Sequence, residues 1–547
     1  MRDDRGFHTH TVDNQPPGLD GLDLWGGDRA LREAVAREGG SGREPLLAEY
    51  GRLAGGEMLR LGEEANRDRP RLRTHDRFGH RIDRVEFADA YHRLMALGVG
   101  HGVSNHSWRE GPTDAARLVQ RAALTFLHHQ ADAGTTCPLT MTHAAAPVLR
   151  AAAGLGDWAD RAVAPAYDPR DVPVADKRGI TLGMGMTEKQ GGSDVRANST
   201  RAEPLAEAGA YRLVGHKWFF SAPMSDGWLV LAQAPGGLGC FLLPRRLPDG
   251  RLNALRLLRL KDKLGNWSNA SAEVEFEGAL AYGVGAEGRG VATIIEMVAH
   301  TRLDCMVGAA AQMRMALVQA LHHARHRRAF GRLLVDQPLM RNVLADLVLE
   351  SEAATALSMR VARAVGAGAA GDAAEAALAR VATAIGKYWL CRRAPAFVNE
   401  AQECLGGAGY VEESMLPRLY REAPLNAIWE GCSNIQCLDV LRALAREPGC
   451  GRALLAELER SAGVDESLDE EIEVFRRILA GPTDGLEAGA RFLVERLALA
   501  LQAAIVLRTG HHALADAFCR SRLDERRGLA FGTLPPGLDF APLLAGA

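Results

Sequence analysis

The sequence lacks several features that would place the chain in a special class. It contains no run of 18 uncharged apolar residues, which excludes a membrane-spanning helix. Its nine cysteines include no Cys-x-x-Cys pair, which argues against a zinc cluster or a disulfide framework and favours the reducing cytoplasm. His322, His323 and His326 share helical spacing but have no ligand of another type beside them. We therefore predict a cytoplasmic protein without a membrane segment or a metal.

Lysine is scarce, since only six of the 65 basic residues are lysine and 59 are arginine. The net charge of −3 excludes a global basic field that would attract nucleic acid. Any bound anion is expected to meet guanidinium groups, which suit phosphates. With 47% apolar and 24% charged residues the composition is globular, and 547 residues imply two to four domains.

The residue composition and the apolar periodicity change at several points along the chain. Polar, Gly- and Pro-rich residues 1–45 predict an extended arm, and three- and four-residue apolar spacing predicts a helical domain over residues 46–178. Short β-type runs separated by turn formers predict a sheet domain over residues 179–285. Helical periodicity returns over residues 286–445, and EPGCG indicates a hinge before a further helical domain at residues 446–547.

Two motifs in the sheet domain combine groups that suit a cofactor. TEKQGGSD pairs the hydroxyls of Thr187 and Ser193 with glycines, and backbone N–H groups beside glycine can approach an anion closely. GHKWFFS places three aromatic residues before Ser221 and predicts a flat wall with one hydrogen-bonding tip. Taken singly, the first is equally a polar loop and the second is ordinary core.

Three further motifs follow in the helical part. Arg327 and Phe330 of RRAFG suit a pyrophosphate and an adenine, although the motif alone is equally a solvated helix end. QECLGGAGY has more glycines than a helix C-cap requires. IWEGCSNIQ places Glu430 beside Trp429, and a buried carboxylate next to an aromatic surface is suited to act as a general base.

The order and spacing of these motifs resemble the acyl-CoA dehydrogenase superfamily over roughly residues 50–445. MTEKQGGSDV, GHKWFFS, RLKDKLGNWSNAS, LPRLYREAPLNAIWEG, QPPGLDGLDLW and the C-terminal extension resemble its AidB-type adaptive-response flavoprotein branch. The resemblance implies an α+β multi-domain fold with an N-terminal helical domain, a β-sheet or barrel middle domain and a C-terminal four-helix domain, here followed by an extra helical domain. It also implies FAD as cofactor and a homotetramer.

The resemblance assigns the FAD contacts position by position. Met186 and Thr187 would lie against the flavin, Phe219 and Ser221 would supply the stacking ring and the hydroxyl near flavin N5, and the Arg327 motif and the glycine-rich turn would reach a neighbouring subunit's FAD. The full set of expected contacts is Met186, Thr187, Gly192, Ser193, Phe219, Phe220, Ser221, Arg327, Phe330, Gln402, Gly406, Gly407, Trp429 and Asn434.

Glu430 matches the catalytic base of the family, which removes the α-proton of an acyl thioester while the β-hydrogen leaves as hydride to the flavin. Thr301 stands where one subgroup places its base, so it offers no second carboxylate. Trp429, Cys432 and Lys189 replace the more common Tyr, Thr and Pro, and the added aromatic bulk narrows the space over the flavin. A bound FAD is thus expected together with weak or specialised dehydrogenase activity.

In the AidB-type branch the C-terminal extension is associated with double-stranded DNA and the protein with the response to alkylation damage. Residues 446–547 contain twelve arginines and sixteen acidic residues, so only a local cluster could bind DNA. The alternative is that these arginines pair with neighbouring acids. The expected DNA-binding residues are Arg442, Arg508, Arg520, Arg522, Arg526 and Arg527.

Three interpretations stay open at this point. The first is an FAD protein of the AidB type that binds DNA, the second is a genuine short- or branched-chain acyl-CoA dehydrogenase without a DNA role, and the third is a catalytically silent protein that holds FAD as a structural group.

Overall fold

The computed structural model describes residues 9–109, 113–481, 485–524 and 528–547. The N-terminal part is mainly helical. Its elements are α1 (Arg29–Arg37), α2 (Glu44–Leu53), α3 (Leu59–Arg67), β1 (Arg71–His75), β2 (Arg81–Glu86), α4 (Asp89–His101), α5 (Ala115–Ala131), α6 (Ala133–Ala151) and α7 (Gly156–Ala162).

Two parts of this region differ from the sequence-based expectation. Part of the expected arm is helical, because Asp28 caps α1 by accepting a hydrogen bond from the Leu31 amide and the helix buries one apolar face. The continuous helical stretch is interrupted by the β1–β2 hairpin. Its turn is held by Asp76, whose carboxylate accepts the amides of Phe78 and His80.

The middle domain confirms the expected β-rich centre. A ring of pairings runs β6–β4–β5–β9–β7 and back to β6, while β3 pairs in parallel with β6 and β8 pairs with β9. Phe220, Trp228, Phe241 and Phe276 fill its interior. The strands are β3 (Leu182–Gly185), β4 (Arg201–Pro204), β5 (Ala210–Ser221), β6 (Gly227–Ala234), β7 (Gly237–Pro244), β8 (Leu255–Leu260) and β9 (Ser271–Val284).

Long helices follow the sheet domain and pack on one another and on α5 and α6. A small hairpin follows α8 and carries the RRAFG motif. The elements are α8 (Gly290–His326), β10 (Arg328–Ala329), β11 (Arg332–Leu333), α9 (Pro338–Ala369), α10 (Ala373–Leu405), α11 (Leu416–Glu422) and α12 (Ser433–Arg446).

The C-terminal extension shares the apolar core of the helical domains. The EPGCG segment expected to be a hinge instead leads directly into α13, and Arg360 of α9 pairs with buried Glu457 of α13 at 2.8 Å. Phe531 packs edge-on against Phe397 of α10. The helices are α13 (Pro448–Glu459), α14 (Glu466–Ala480), α15 (Ala490–Leu507), α16 (His512–Arg522) and α17 (Ala541–Ala545). Within the described ranges, every helix is too short or too polar to cross a bilayer.

Candidate active site

The end of strand β5 forms one wall of the site. Side chains on a strand alternate, so Phe219 and Ser221 share a face while Phe220 points to the other side. Phe219 is 51% exposed, whereas Phe220 is fully buried with its ring 4.8 Å from that of Trp228. The expectation that Phe220 contacts the cofactor is therefore wrong, because this ring belongs to the interior of the sheet domain.

A buried ion pair fixes the TEKQGGSD loop to this wall. Glu188 and Lys217 lie 2.8 Å apart with both side chains completely buried. The Glu188 carboxylate also accepts the amides of Ser199 and Thr200. This ion pair was not predicted, although Glu188 lies in the TEKQGGSD motif and Lys217 lies in the GHKWFFS motif. The pair determines where the loop sits relative to β5.

The loop presents its expected contacts beside the wall. Met186 is half-buried against an apolar cluster that contains Ala222 of the wall. Gly192 packs so closely that a Cβ there would stand 2.4 Å from the Thr187 hydroxyl, while Ser193 is exposed. Thr187, Gly192 and Ser193 thus lie together at one open edge of the site, and their contact with the cofactor stays a prediction.

Glu430 lies on the loop that precedes α12. Its Oε2 accepts a hydrogen bond from the Thr301 hydroxyl of α8 at 2.7 Å. Burial raises the pKa of Glu430, and the Thr301 hydrogen bond and the charges of Lys387 and Arg302 oppose only part of that rise. A carboxylate held in this way is a stronger base than an exposed one and is suited to take up a proton.

The backbone around Glu430 is held in a constrained conformation. Glu430 has φ 59°, in the left-handed region that non-glycine residues seldom adopt. Arg302 donates to its carbonyl at 3.0 Å, and Gln436 donates to the same oxygen at 3.1 Å. Lys387 donates to the next carbonyl, that of Gly431, at 2.8 Å. These buried donors fix the direction of the Glu430 side chain and were not predicted from the sequence.

The loop of Glu430 and the β5 wall converge on α6. Trp429 and Met186 pack against the same apolar cluster, to which Cys137 of α6 belongs. Burial raises the pKa of the Cys137 thiol to about 12; the Glu430 charge adds to the rise, and hydrogen bonds from Ser221 and Asn269 oppose it. Cys137 therefore lies in the apolar cluster beside Trp429 and interacts with the Ser221 hydroxyl, and its place in the site was not predicted.

The remaining expected cofactor residues lie apart from this centre. Phe330 projects from the β10–β11 hairpin with 99% of its surface exposed, and Arg327 donates to the carbonyl of Asn14 at 2.7 Å. Gln402 is buried and donates to the Gly409 carbonyl, which holds the glycine-rich turn. That turn is open, since a Cβ at Gly406 or at Gly407 would meet nothing within 4 Å. Among the expected residues, the structure thus brings Glu430 close to the β5 wall and its neighbouring loop within this chain. Asn434 instead contacts Arg491 of α15 at 2.8 Å.

The arginines expected to bind DNA do not form one surface. Arg522 is buried against Asp346 and Glu350 of α9, and Arg508 pairs with Glu457 of α13. For these two residues the expectation is wrong, because their guanidinium groups neutralise buried carboxylates. Arg442 and Arg520 remain exposed, beside Asp439 and Asp516 respectively. Arg526 and Arg527 lie outside the described residues.

Family models match three consecutive parts of the chain. The Adaptive response protein AidB N-terminal domain matches residues 14–169, the acyl-CoA dehydrogenase middle domain matches residues 183–279, and the acyl-CoA dehydrogenase C-terminal domain matches residues 288–445. The putative acyl-CoA dehydrogenase AidB of Escherichia coli K12 is 47% identical over 526 residues, which is 96% of each chain. The chain belongs to the AidB-type branch of the acyl-CoA dehydrogenase family.

Solved relatives agree with this membership. A crystal structure of Caenorhabditis elegans ACDH-11 in complex with C11-CoA superimposes with a TM-score of 0.85 at 28% identity, covering 95% of each chain. The Bd2924 apo-form gives a TM-score of 0.83 at 30% identity, covering 91% of this chain and all of the other. Glutaryl-CoA dehydrogenase of Mycobacterium smegmatis in complex with FADH2 shares the fold at 19% identity and a TM-score of 0.56.

The cofactor of this AidB-type chain is FAD. The residues present fit it: a half-exposed aromatic ring at Phe219, a hydroxyl at Ser221, and an open polar edge at Thr187 and Ser193. The absence of side chains at Gly406 and Gly407 leaves room for an FAD to approach the backbone closely. A flavin ring can stack on an aromatic side chain and can accept a hydrogen bond from a hydroxyl group.

Proposed function

We propose that this AidB-type protein catalyses α,β-dehydrogenation of an acyl-CoA thioester, with Glu430 as the base. The observation that carries the proposal is the Glu430 carboxyl group, held by Thr301 at 2.7 Å in a partly buried position that raises its pKa. The C11-CoA complex of the C. elegans relative, which matches 95% of this chain, supports an acyl-CoA as the class of substrate.

Each residue has a defined part in the reaction. Glu430 takes the proton from the α-carbon, and the electrons of that C–H bond form the new double bond as the β-hydrogen leaves with its electron pair. FAD accepts that hydride when it is bound. Arg302 and Gln436 hold the Glu430 backbone, so the carboxylate direction does not change as it gains the proton. Trp429 and Phe219 place aromatic surface at the site, which favours a slim acyl group.

The Glu430→Gln variant tests this proposal. It keeps the size of the side chain and the FAD site, so anaerobic bleaching of the bound flavin by a series of acyl-CoAs should slow by ~10²–10⁴-fold. Glu413→Gln, at an exposed position in the loop after α10, is the matched control and should bleach at the wild-type rate. Equal rates for Glu430→Gln and wild type would refute the role of Glu430. Failure of every acyl-CoA to bleach the wild-type flavin would leave FAD as a structural group.

A second function, binding of double-stranded DNA in the response to alkylation damage, is proposed for the extension. It is supported by the match to the adaptive response AidB N-terminal domain and by an exposed arginine group where α12 meets α13. Arg442 and Arg446 are one helical turn apart on α12 and therefore share a face, and Arg452 is exposed on α13. These exposed arginines are the proposed DNA contacts in place of Arg508 and Arg522.

Charge reversal at this face distinguishes the DNA-binding protein from a dehydrogenase without a DNA role. Arg442→Glu/Arg446→Glu should weaken binding of a duplex oligonucleotide and reduce the magnitude of its salt slope by ~2. Arg477→Glu, an exposed arginine of α14, is the control. An unchanged affinity and salt slope in the double variant would place the DNA surface elsewhere, and no binding by the wild type would favour the genuine acyl-CoA dehydrogenase.

We also propose a homotetramer in which Phe330 reaches a neighbouring subunit. A fully exposed aromatic ring on a small hairpin is the feature that supports this proposal. Phe330→Ser should lower the assembled fraction in analytical ultracentrifugation, or reduce FAD retention at the same protein concentration. A wild-type assembly with full FAD content would contradict it.

A further inference from the structure

A buried lysine lies directly behind the hydroxyl of the β5 wall. Lys263, in the segment between β8 and β9, is one of only six lysines in the chain. Its Nζ donates to the Asn269 carbonyl at 2.7 Å, to the Ser271 Oγ at 3.2 Å and to the Asn266 Oδ1 at 3.5 Å. All three ammonium hydrogens therefore have acceptors within the protein.

The Ser271 hydroxyl continues this line of contacts toward the cofactor wall. Ser271 Oγ lies 3.3 Å from Ser221 Oγ across the β5–β9 pairing. An ammonium group can only donate, so the Ser271 Oγ accepts from Lys263, and the hydrogen of Ser271 can be donated to Ser221. Ser221 then receives in turn, and its hydrogen is available to an acceptor on the open side of the wall.

The neighbours of this chain of contacts hold it in place. Glu422 of α11 accepts the Asn266 amide at 2.6 Å and its side-chain N–H at 2.8 Å, which fixes the turn that faces Lys263. The Cys137 thiol is another group beside Ser221, and its pKa of about 12 keeps it a neutral, weak acceptor. Ser221 can therefore turn its hydrogen from this thiol to a stronger acceptor.

We propose that Lys263, acting through Ser271, orients the Ser221 hydroxyl toward the N5 edge of the bound flavin and supplies positive charge that favours its reduction. Lys263 is thus a positioning residue, since it reaches the cofactor only through two hydroxyls. Burial lowers the pKa of Lys263 to about 8, and the neighbouring Glu422 opposes part of that fall. The proposal rests on FAD lying against Ser221 and is independent of the acyl-CoA and DNA functions.

The test is the two-electron midpoint potential and the visible spectrum of FAD in the purified holoprotein, titrated with a redox dye without acyl-CoA or DNA. Lys263→Met should shift the reduction equilibrium about tenfold toward oxidised flavin, or ~30 mV for a two-electron couple. Lys263→Arg keeps the charge and should recover most of the shift. Arg256→Met is the matched control. It removes a cation of β8 in the same sheet, one that pairs with Glu277 of β9.

Ser271→Ala keeps the charge and removes only the link. It should alter the flavin spectrum in the same direction as Lys263→Met, with a smaller change in potential. It also keeps the experiment decisive if Lys263→Met does not fold or does not hold FAD. A wild-type potential in folded Lys263→Met would overturn the proposal, and where that variant does not fold or hold FAD, a wild-type potential and spectrum in Ser271→Ala would overturn it.

Discussion

The Nε of Arg491 donates a 2.8 Å hydrogen bond to the Oδ1 of Asn434. Arg491 is the second residue of α15 in the C-terminal extension, and Asn434 is the second residue of α12, four positions after Glu430. The extension is therefore attached to the segment that carries Glu430, the proposed base. This contact makes the extension part of the site's support and gives a direct way to test its influence.

Loss of this contact is expected to weaken FAD binding. Arg491→Ala removes a hydrogen bond from a charged donor, and a net loss of ~1–2 kcal/mol corresponds to a roughly 5- to 30-fold higher FAD Kd. Titration of the apoprotein with FAD, followed by flavin fluorescence, measures it. Arg477→Ala on α14 serves as the control, and an unchanged Kd for Arg491→Ala would show that Asn434 does not depend on the extension.

The hydrogen bond from Thr301 is expected to set the pH dependence of catalysis. Glu430 must be ionised to accept a proton, so activity rises with pH through its pKa. The Thr301 hydrogen bond stabilises the ionised form, so Thr301→Val raises that pKa further and moves the acid limb of kcat/KM to higher pH. On the acid limb, below that pKa, we expect a roughly 10-fold loss of kcat/KM at a given pH.

The control for this prediction is Thr293→Val, on the same helix. The Thr293 hydroxyl donates only to the Arg289 carbonyl one turn earlier, so its removal should leave the profile in place. A Thr301→Val enzyme with the wild-type acid limb would show that the hydrogen bond does not act on the reacting form of Glu430.

The Glu188–Lys217 pair is expected to dominate the stability of the cofactor wall. Lys217→Met leaves a buried carboxylate unpaired and should lower the free energy of unfolding by about 3–5 kcal/mol. The double variant Glu188→Met/Lys217→Met should recover only part, because the amides of Ser199 and Thr200 lose their acceptor. Denaturant unfolding measures both; a Lys217→Met protein as stable as wild type would contradict the prediction.

Arg522 is expected to affect stability and not DNA affinity. Arg522→Ala leaves buried Asp346 without its cation and buried Glu350 with Arg393 alone, and should lower the free energy of unfolding by roughly 3 kcal/mol. Arg520→Ala, exposed on the same helix, should change it by less than about 0.5 kcal/mol. Folded Arg522→Ala protein should bind duplex DNA like wild type; a reduced salt slope would restore Arg522 to the DNA surface.

The sequence predicted the parts of the site whose signal is local. TEKQGGSD, GHKWFFS and IWEGCSNIQ keep their hydroxyls, glycines and carboxylate within a few residues of one another, so their order and spacing were enough to indicate the family and Glu430. The direction in which the Phe220 side chain points could not be predicted from the local sequence, because the β5–β9 register shifts between Lys217 and Phe220. That irregularity decides which of the consecutive aromatic residues faces the core.

The sequence by itself determined the family, the β-rich centre between helical domains and the cofactor, and it predicted Glu430 as the base. Only the tertiary structure decided how that base is held and which arginines remain exposed. Glu430 depends on Thr301 and Arg302, some 130 residues earlier, and Arg522 pairs with carboxylates more than 170 residues away. Chain folding creates such pairs because a buried charge requires a partner, and no local pattern records which distant residue provides it.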